Sequence, residues 1–476
     1  MASIGRLVRA ELVSRLSDRT APRVAAGFAF AFFIAVRLTS MSPLTGDEPH
    51  YLILAQSVLT DRDFKVANNY ARGDHRAYAP RELEPHLVGG EDPRIRRYSL
   101  HAPGLALIIA PAFAVAGAWG AIVFLAAVAA LGTAFVWSAG HLLTRDPGAA
   151  WFGWVLITLT SPLALFASLI YPDPVAGTLI AIGVWAIVRS ATSAGLGTWS
   201  TGMSFGVGVA IALLPWLHTR LAIPAALLAA VLVLRLASFD RTGTRHLITF
   251  LLPLILSLGL WLTYFHVVYG SMDPRSSLGG QTPINRAYII NGLAGMFADQ
   301  EFGLLPNAPA YLIAFSGLGM LWRRDRRLAA EVAFITTPYV VAASGYPMWW
   351  AGHCPPARFL LPVLLPFGAT AALVWAGSRR NGRLVALVML AASVAIASIM
   401  AFAQDGALAY NGADGSARWL DWLTADTVAT RMLPSFFRGF PAGTPAVDIR
   451  WNLVLPAVFW GALGALLIAI ARHRDR

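Results

Sequence analysis

Residues 22–52 read PRVAAGFAFAFFIAVRLTSMSPLTGDEPHYL. From Pro22 to Ser40 the chain is apolar for roughly the 20 residues that span a bilayer core. It then turns polar and places two adjacent carboxylates, Asp47 and Glu48, a few residues beyond the run. Gly46 before them permits a tight turn, and Pro49 after them suits the first position of a helix. That helix continues through Tyr51, Leu52, Ile53, Leu54, Ala55, Val58 and Leu59 and stops at Thr60-Asp61-Arg62-Asp63. It is too short to span and fits an interfacial helix. In the plain structural reading the acidic pair only caps it. In the functional reading the pair is held at the water–lipid boundary, where a general base meets a lipid-borne substrate.

The rest of the 476 residues repeats the opening pattern. The chain is 57% hydrophobic and 13% charged, with a mean hydropathy of +0.60, about half the charge density of a soluble protein. Apolar segments lie at 22–40, 103–118, 120–143, 149–170, 175–190, 202–217, 220–237, 246–268, 306–322, 328–346, 357–376, 384–402 and 452–471. The fold class is all-α, a polytopic membrane protein of about 12–13 transmembrane or re-entrant helices. The chain reads as one integral-membrane domain over 1–476. Its loops 41–102, 269–305 and 403–451 are too short to be independent domains without staples.

The net charge of +12 is almost all arginine, with Lys65 the lone lysine, and it gathers in short loops between apolar runs. This is the positive-inside pattern and contact with anionic membrane lipid, not a nucleic-acid surface. Arg6, Arg9, Arg15, Arg19 and Arg23 precede the first run, and no small-residue cleavage site follows it, which predicts an uncleaved anchor. The arginine-rich loops 235–245, 323–327, 379–383 and 472–476 join the N-terminus on the cytoplasmic side, while the long mixed loops face out. Both termini inside require an even number of crossings, and thirteen segments are too many by one. The segment 103–118 is short and holds Pro103, Pro111 and Gly117, so it is the one expected not to cross. The Tyr171-Pro172-Asp173-Pro174 turn then shares the outer face with Asp47 and Glu48. Cys354, the single cysteine, excludes an internal disulfide and any multi-cysteine metal site.

Gly46-Asp47-Glu48-Pro49-His50-Tyr51, then Ala55 and Asp61-Arg62-Asp63-Phe64, resembles the start of the first external loop of GT-C glycosyltransferases. The nearest groups are the protein O-mannosyltransferases and the lipid A aminoarabinose transferases. Ser99-Leu100-His101-Ala102-Pro103-Gly104 is similar to the stretch that opens their next helix. Ser161-Pro162 through Tyr171-Pro172-Asp173 is similar to their second external acidic site. The motifs cover roughly the first 175 residues; the remainder matches in topology.

The resemblance implies a polyprenyl-phosphate sugar donor, a glycan, lipid or protein acceptor, and transfer with inversion on the outer face of the membrane. The arginine- and alanine-rich composition and the lack of eukaryotic sorting signals point to a bacterial cytoplasmic membrane. Such chemistry needs a carboxylate base, a cation for the departing phosphate and an apolar groove for the isoprenoid. For the base the candidates are Asp47 first, then Glu48, with Asp173 as a second acidic partner. Asp173 is equally well read as a turn residue between two prolines.

His101 stands where the family often has a lysine, so the cation must come from Arg96 or Arg97, from Arg220 beside His218, or from Arg358 beside His353. Each also suits an arginine reaching to lipid headgroups. His50 and Tyr51 join the substrate-binding candidates. His50, His101, His218 and His353 also fall on the outer side and with the carboxylates could bind a divalent metal, although no pair has the i, i+4 spacing of a helical site. Some GT-C enzymes use such an ion (Mg or Mn), for which the Asp47/Glu48/Asp173 set is the candidate, but no tightly bound metal is expected. The Met348-Trp349-Trp350 and Trp419/Trp422 clusters read as an interfacial belt before they read as sugar platforms. Asp299-Gln300-Glu301 is acidic and external, able to touch an acceptor or to cap the next helix. The rival class is a transporter or lipid flippase. Carboxylates in external loops, spans nearly free of them and no internal repeat favour an enzyme at one surface.

Overall fold

A computed structural model describes residues 2–40, 43–89, 95–192, 199–238, 241–278, 284–424, 432–441, 443–445, 458 and 461, with side chains from residue 20 onward except 241 and 242. The segment 452–471 lies outside these residues apart from Val458 and Gly461. The described chain is helical: α1 (Ala2–Thr39), α2 (Glu48–Thr60), α3 (Ala67–Arg72), α4 (Pro103–Thr144), α5 (Pro147–Thr158), α6 (Leu163–Phe166), α7 (Pro172–Ala191), α8 (Thr201–Leu217), α9 (Ala222–Ala237) and α10 (Arg241–Tyr269) form its first part. The second part holds α11 (Ile289–Ala298), α12 (Leu304–Asn307), α13 (Tyr311–Arg324), α14 (Arg326–Ser344), α15 (Leu361–Leu364), α16 (Phe367–Gly377), α17 (Arg380–Phe402) and α18 (Arg418–Thr424).

Among the described residues six helices are long and apolar enough to cross a membrane, or seven if the pair Arg358–Leu364 and Phe367–Gly377, bent by 64°, is one span. The chain is an all-α, multi-pass membrane protein. Fewer helices pass this test than the sequence has apolar runs because proline-rich breaks shorten several of them. The run 149–170 becomes α5 and α6 with Ser161-Pro162 between, and 306–322 loses its first turn to α12, leaving 14 residues in α13.

The runs 103–118 and 120–143 merge into α4, which kinks at Ala116 and Gly117. Gly117 has φ +58 and ψ −146, a conformation open only to glycine, so the sequence itself writes the break. At the start of this arm, a Cβ on Gly104 would lie 2.5 Å from the Trp216 carbonyl carbon, near the end of α8. At its far end, the Arg37 guanidinium sits 5.9 Å from the Trp119 ring, near the end of α1. Residues 103–115 thus form a separate arm of α4, set off from the rest by the break at Ala116 and Gly117.

Helices approach closely where side chains are small, as membrane packing favours; a Cβ on Gly153 of α5 would run into the Gly368 carbonyl of α16. At the other end of the bundle the buried Arg235 of α9 pairs with Glu331 of α14 at 2.5 Å, which accounts for a carboxylate in an apolar run. Helix α2 is covered along most of its length. Leu52, Ile53 and Ala55 share an apolar cluster with Leu105, Ala106 and Ile109 of α4. The turn before α2 is thereby fixed against the start of α7.

Candidate active site

Four charged side chains from separate parts of the sequence meet at this turn. Asp47 occupies the N-cap position of α2 but makes no capping bond. Its Oδ2 accepts from Arg358 Nη2 at 2.7 Å. Arg358 also donates through Nε to Asp173 Oδ2 at 3.1 Å and through Nη1 to the Ala351 carbonyl at 3.3 Å. Asp173, in the first turn of α7, accepts from Arg220 Nη2 on its other oxygen at 2.5 Å. The chain Asp47–Arg358–Asp173–Arg220 alternates in sign and sums to zero. Both guanidiniums lie over rings, Arg358 4.2 Å from Tyr171 and Arg220 4.1 Å from Phe359.

Local backbone geometry aims these groups. Gly46 has φ +56, and Tyr171 packs so closely on it that a Cβ there would collide with the phenol oxygen. Arg358 follows a loop with Ala351 at φ +68 and Ala357 at φ +60, left-handed conformations that cost an alanine about 1–2 kcal/mol each. Such strain persists where the surroundings fix it. His218 orients Arg220, its Nδ1 accepting the Arg220 backbone N–H at 3.2 Å.

The two members of the acidic pair face different ways. The Glu48 carboxylate is buried and accepts backbone N–H groups from Ile170 at 3.0 Å and Thr45 at 3.1 Å. Burial raises its proton affinity. For Asp47 burial also pulls upward, but the Arg358 guanidinium, helped by His101 and His86, holds the carboxyl well below the usual range. Its side chain is 23% exposed against 1% for Asp173, so Asp47 is the carboxylate an incoming group can reach.

Histidines back the cluster. His86 Nδ1 and His101 Nε2 are 3.0 Å apart, and His50 stacks on His86 with centroids 3.6 Å apart. Tyr70 holds His50 Nδ1 at 2.6 Å, and Tyr51 packs on His101 at 4.6 Å. Burial keeps His50 and His101 neutral, pushed down to about 3 and about 4. Asp47, His86 and His101 present one ligand atom each within 4.8 Å of one another, a group that could hold a metal. Asp173 is taken up by two arginines and Glu48 by backbone, so the metal-capable set is not Asp47/Glu48/Asp173. The reading of the sequence passed over His86, yet Glu84-Pro85-His86 repeats Glu48-Pro49-His50, and the repeated histidines stack.

Other candidates lie elsewhere. Arg96 and Arg97 are exposed on the turn Ile95–Arg97, and among the described residues no hydrogen bond or ion pair joins either side chain to Asp47 or Asp173. His353 is exposed, its ring 5.3 Å from Tyr410, while its carbonyl lies against Gly46. Trp349 is buried against Phe436 and Phe437, and Trp419 donates to Asn307 Oδ1 at 2.9 Å, so both serve packing. Asp299 and Glu301 are buried staples. Asp299 accepts from the Glu301, Phe302 and Phe436 N–H groups, and Glu301 from those of Asp414 and Gly415.

No protein-family profile matches the sequence, and no curated protein matches it. Solved structures do match. ArnT from Cupriavidus metallidurans bound to undecaprenyl phosphate aligns at TM-score 0.53 and 14% identity over 80% of this chain and 65% of ArnT. Its apo form aligns at TM-score 0.50 and 16% identity over 84% of this chain and 65% of ArnT. The chain thus spans about two thirds of the length of ArnT. At these identities the likeness concerns architecture: the chain has a GT-C-like membrane fold, similar to that of ArnT.

Proposed function

We propose that this chain is a glycosyltransferase that moves a sugar from a polyprenyl-phosphate donor to a glycan, lipid or protein acceptor, with inversion at the anomeric carbon, on the outer face of the membrane. The observation that carries the reading is the partly exposed Asp47 carboxylate, joined directly to the buried Arg358 guanidinium and through Asp173 to the half-buried Arg220. A base and phosphate-binding cations stand there within one site. The fold shared with an ArnT structure bound to undecaprenyl phosphate supports the lipid-linked donor.

In this reading the acceptor hydroxyl attacks the anomeric carbon and gives its proton to Asp47. The bond from that carbon to the phosphate oxygen breaks, and the oxygen keeps the electron pair. Arg358 and Arg220 bind the phosphate as its charge grows; guanidinium forks suit that task. Arg358 serves both partners. Before the donor arrives it holds Asp47 ionised and weakly basic; a phosphate competing for its N–H groups loosens that hold and raises the basicity of Asp47. The base therefore strengthens when the leaving group is in place.

The test is sugar transfer, or slow donor hydrolysis, by purified protein in nanodiscs with a panel of polyprenyl-phosphate sugars and a membrane acceptor fraction. Turnover that collapses in Asp47→Asn supports the reading. Absence of binding and turnover with every donor, together with passage of labelled lipid or solute across sealed vesicles, would replace it with a transporter.

A further inference from the structure

We infer that Asp47, His86 and His101 form a three-ligand site for a divalent cation of the zinc type. The inference adds a cation to the active site proposed above, and the geometry carries it without reference to any sugar. Their ligand atoms lie within 4.8 Å of one another, and all three residues are only partly buried, so an ion can reach them from solvent. His86 Nδ1 and His101 Nε2 stand 3.0 Å apart. Two imidazoles on one tetrahedral zinc, with bonds of about 2.0–2.1 Å, place their nitrogens about 3.3 Å apart. Arg358 takes Asp47 Oδ2, so Oδ1 is the oxygen offered to a cation, while Oδ2, loosened when a phosphate draws on Arg358, stays the one that takes a proton.

The surroundings fix the ligands as an outer shell does. His50 stacks on His86 with an interplanar angle of 9°, and Tyr70 holds His50. The Tyr70 oxygen also accepts the His86 backbone N–H at 3.3 Å. Leu100 donates its N–H to the His86 carbonyl at 3.0 Å, and Val88 donates to the Tyr98 carbonyl at 3.0 Å. These bridges bring the 86–88 strand segment alongside the one that leads to His101, so two histidines fifteen residues apart in sequence face one point. Two nitrogen donors with one carboxylate favour zinc, cobalt or a similar ion over magnesium, which prefers an all-oxygen shell.

The consequence is electrostatic. The four-membered ion chain is neutral, and a bound divalent cation makes the site net +2. That charge suits a phosphate-bearing ligand.

The experiment uses full-length protein purified in detergent with a tag free of histidine, stripped by chelator and titrated with Co²⁺ or Zn²⁺ in the absence of any donor. The expected result is one cation per chain, a cobalt d–d absorption spectrum of a nitrogen-and-oxygen site, and two imidazole nitrogens in the zinc X-ray absorption of the wild type. His86→Ala and His101→Ala each weaken binding about a hundredfold or more, His50→Phe about tenfold, and His266→Ala, on the exposed face of α10, leaves it unchanged. The wild-type measurements stand even if a variant misfolds. A wild type that binds no stoichiometric cation overturns the inference, as does binding that His86→Ala and His101→Ala leave intact. If the wild type binds no cation while His86→Ala still loses sugar transfer, the histidines are a metal-free proton relay instead. Cation binding without turnover of any donor would keep the site and remove the glycosyltransferase reading.

Discussion

Replacing Arg358 by leucine tests the ion chain at its central link. The substitution removes the 2.7 Å bond to Asp47 and the 3.1 Å bond to Asp173 and leaves a net charge of −1 where the sum was zero. Asp173 keeps Arg220, but it is 1% exposed and water cannot compensate its lost partner. Breaking a buried pair by removing one member costs about 3–5 kcal/mol. If the whole cost falls on the unfolding barrier, 3 kcal/mol shortens the half-life at fixed temperature about 150-fold. The double variant Arg358→Leu/Asp173→Asn restores neutrality, leaving Asp47 and Arg220, and regains about 1–3 kcal/mol relative to additivity. The assay is the folded fraction by fluorescence-detected size exclusion after timed heating in detergent, for wild type, both single variants and the double. A half-life for Arg358→Leu within twofold of wild type refutes the reasoning, and so does a double variant at or below the sum of the singles.

The remaining predictions separate chemistry from framework. Asp47→Asn leaves an amide oxygen to accept from Arg358, which also keeps Asp173 and the Ala351 carbonyl, so the fold holds while donor turnover falls by about 10²–10⁴ in single-turnover assays. Glu48→Gln does the reverse: turnover per folded molecule holds, while loss of the two-fold acceptor for Ile170 and Thr45 costs about 1–3 kcal/mol of thermal stability. Gly46→Ala pushes a methyl into the Tyr171 phenol oxygen at φ +56 and costs at least about 1–2 kcal/mol, part of which Tyr171→Phe returns in the double variant. The staple at Glu301 is sensitive to pH. Burial, with Asp299 beside it, pushes its carboxyl up to about 8. The folded state thus prefers the neutral acid, so the stabilisation is complete below the ordinary value near 4.5 and is lost as pH rises through about 8. Limited proteolysis at residues 411–416 should speed up between about pH 5 and pH 8 in the wild type, level off above that, and show no such rise in Glu301→Gln.

Much of this protein is written locally. Apolar runs of bilayer length, arginine-rich loops and the glycine that kinks α4 each act through neighbouring residues or through the membrane itself, and one sequence displays them. The repeated Glu-Pro-His was visible as well, though nothing local says that two histidines thirty-six positions apart stack. The division of labour between Asp47 and Glu48 was hidden altogether. As neighbours in sequence they look interchangeable; one side chain meets the Ile170 backbone and the other meets Arg358, 311 positions away. The same holds for the arginines, since Arg96, Arg97, Arg220 and Arg358 all suit a phosphate by type, and nothing local ranks them. Only packing of α7, α9 and the 351–358 loop brings two of the four to a shared carboxylate. Composition and periodicity fix which surfaces avoid water, because that free energy is summed along short segments. Which charges meet depends on how distant segments pack, and that is a property of the folded bundle.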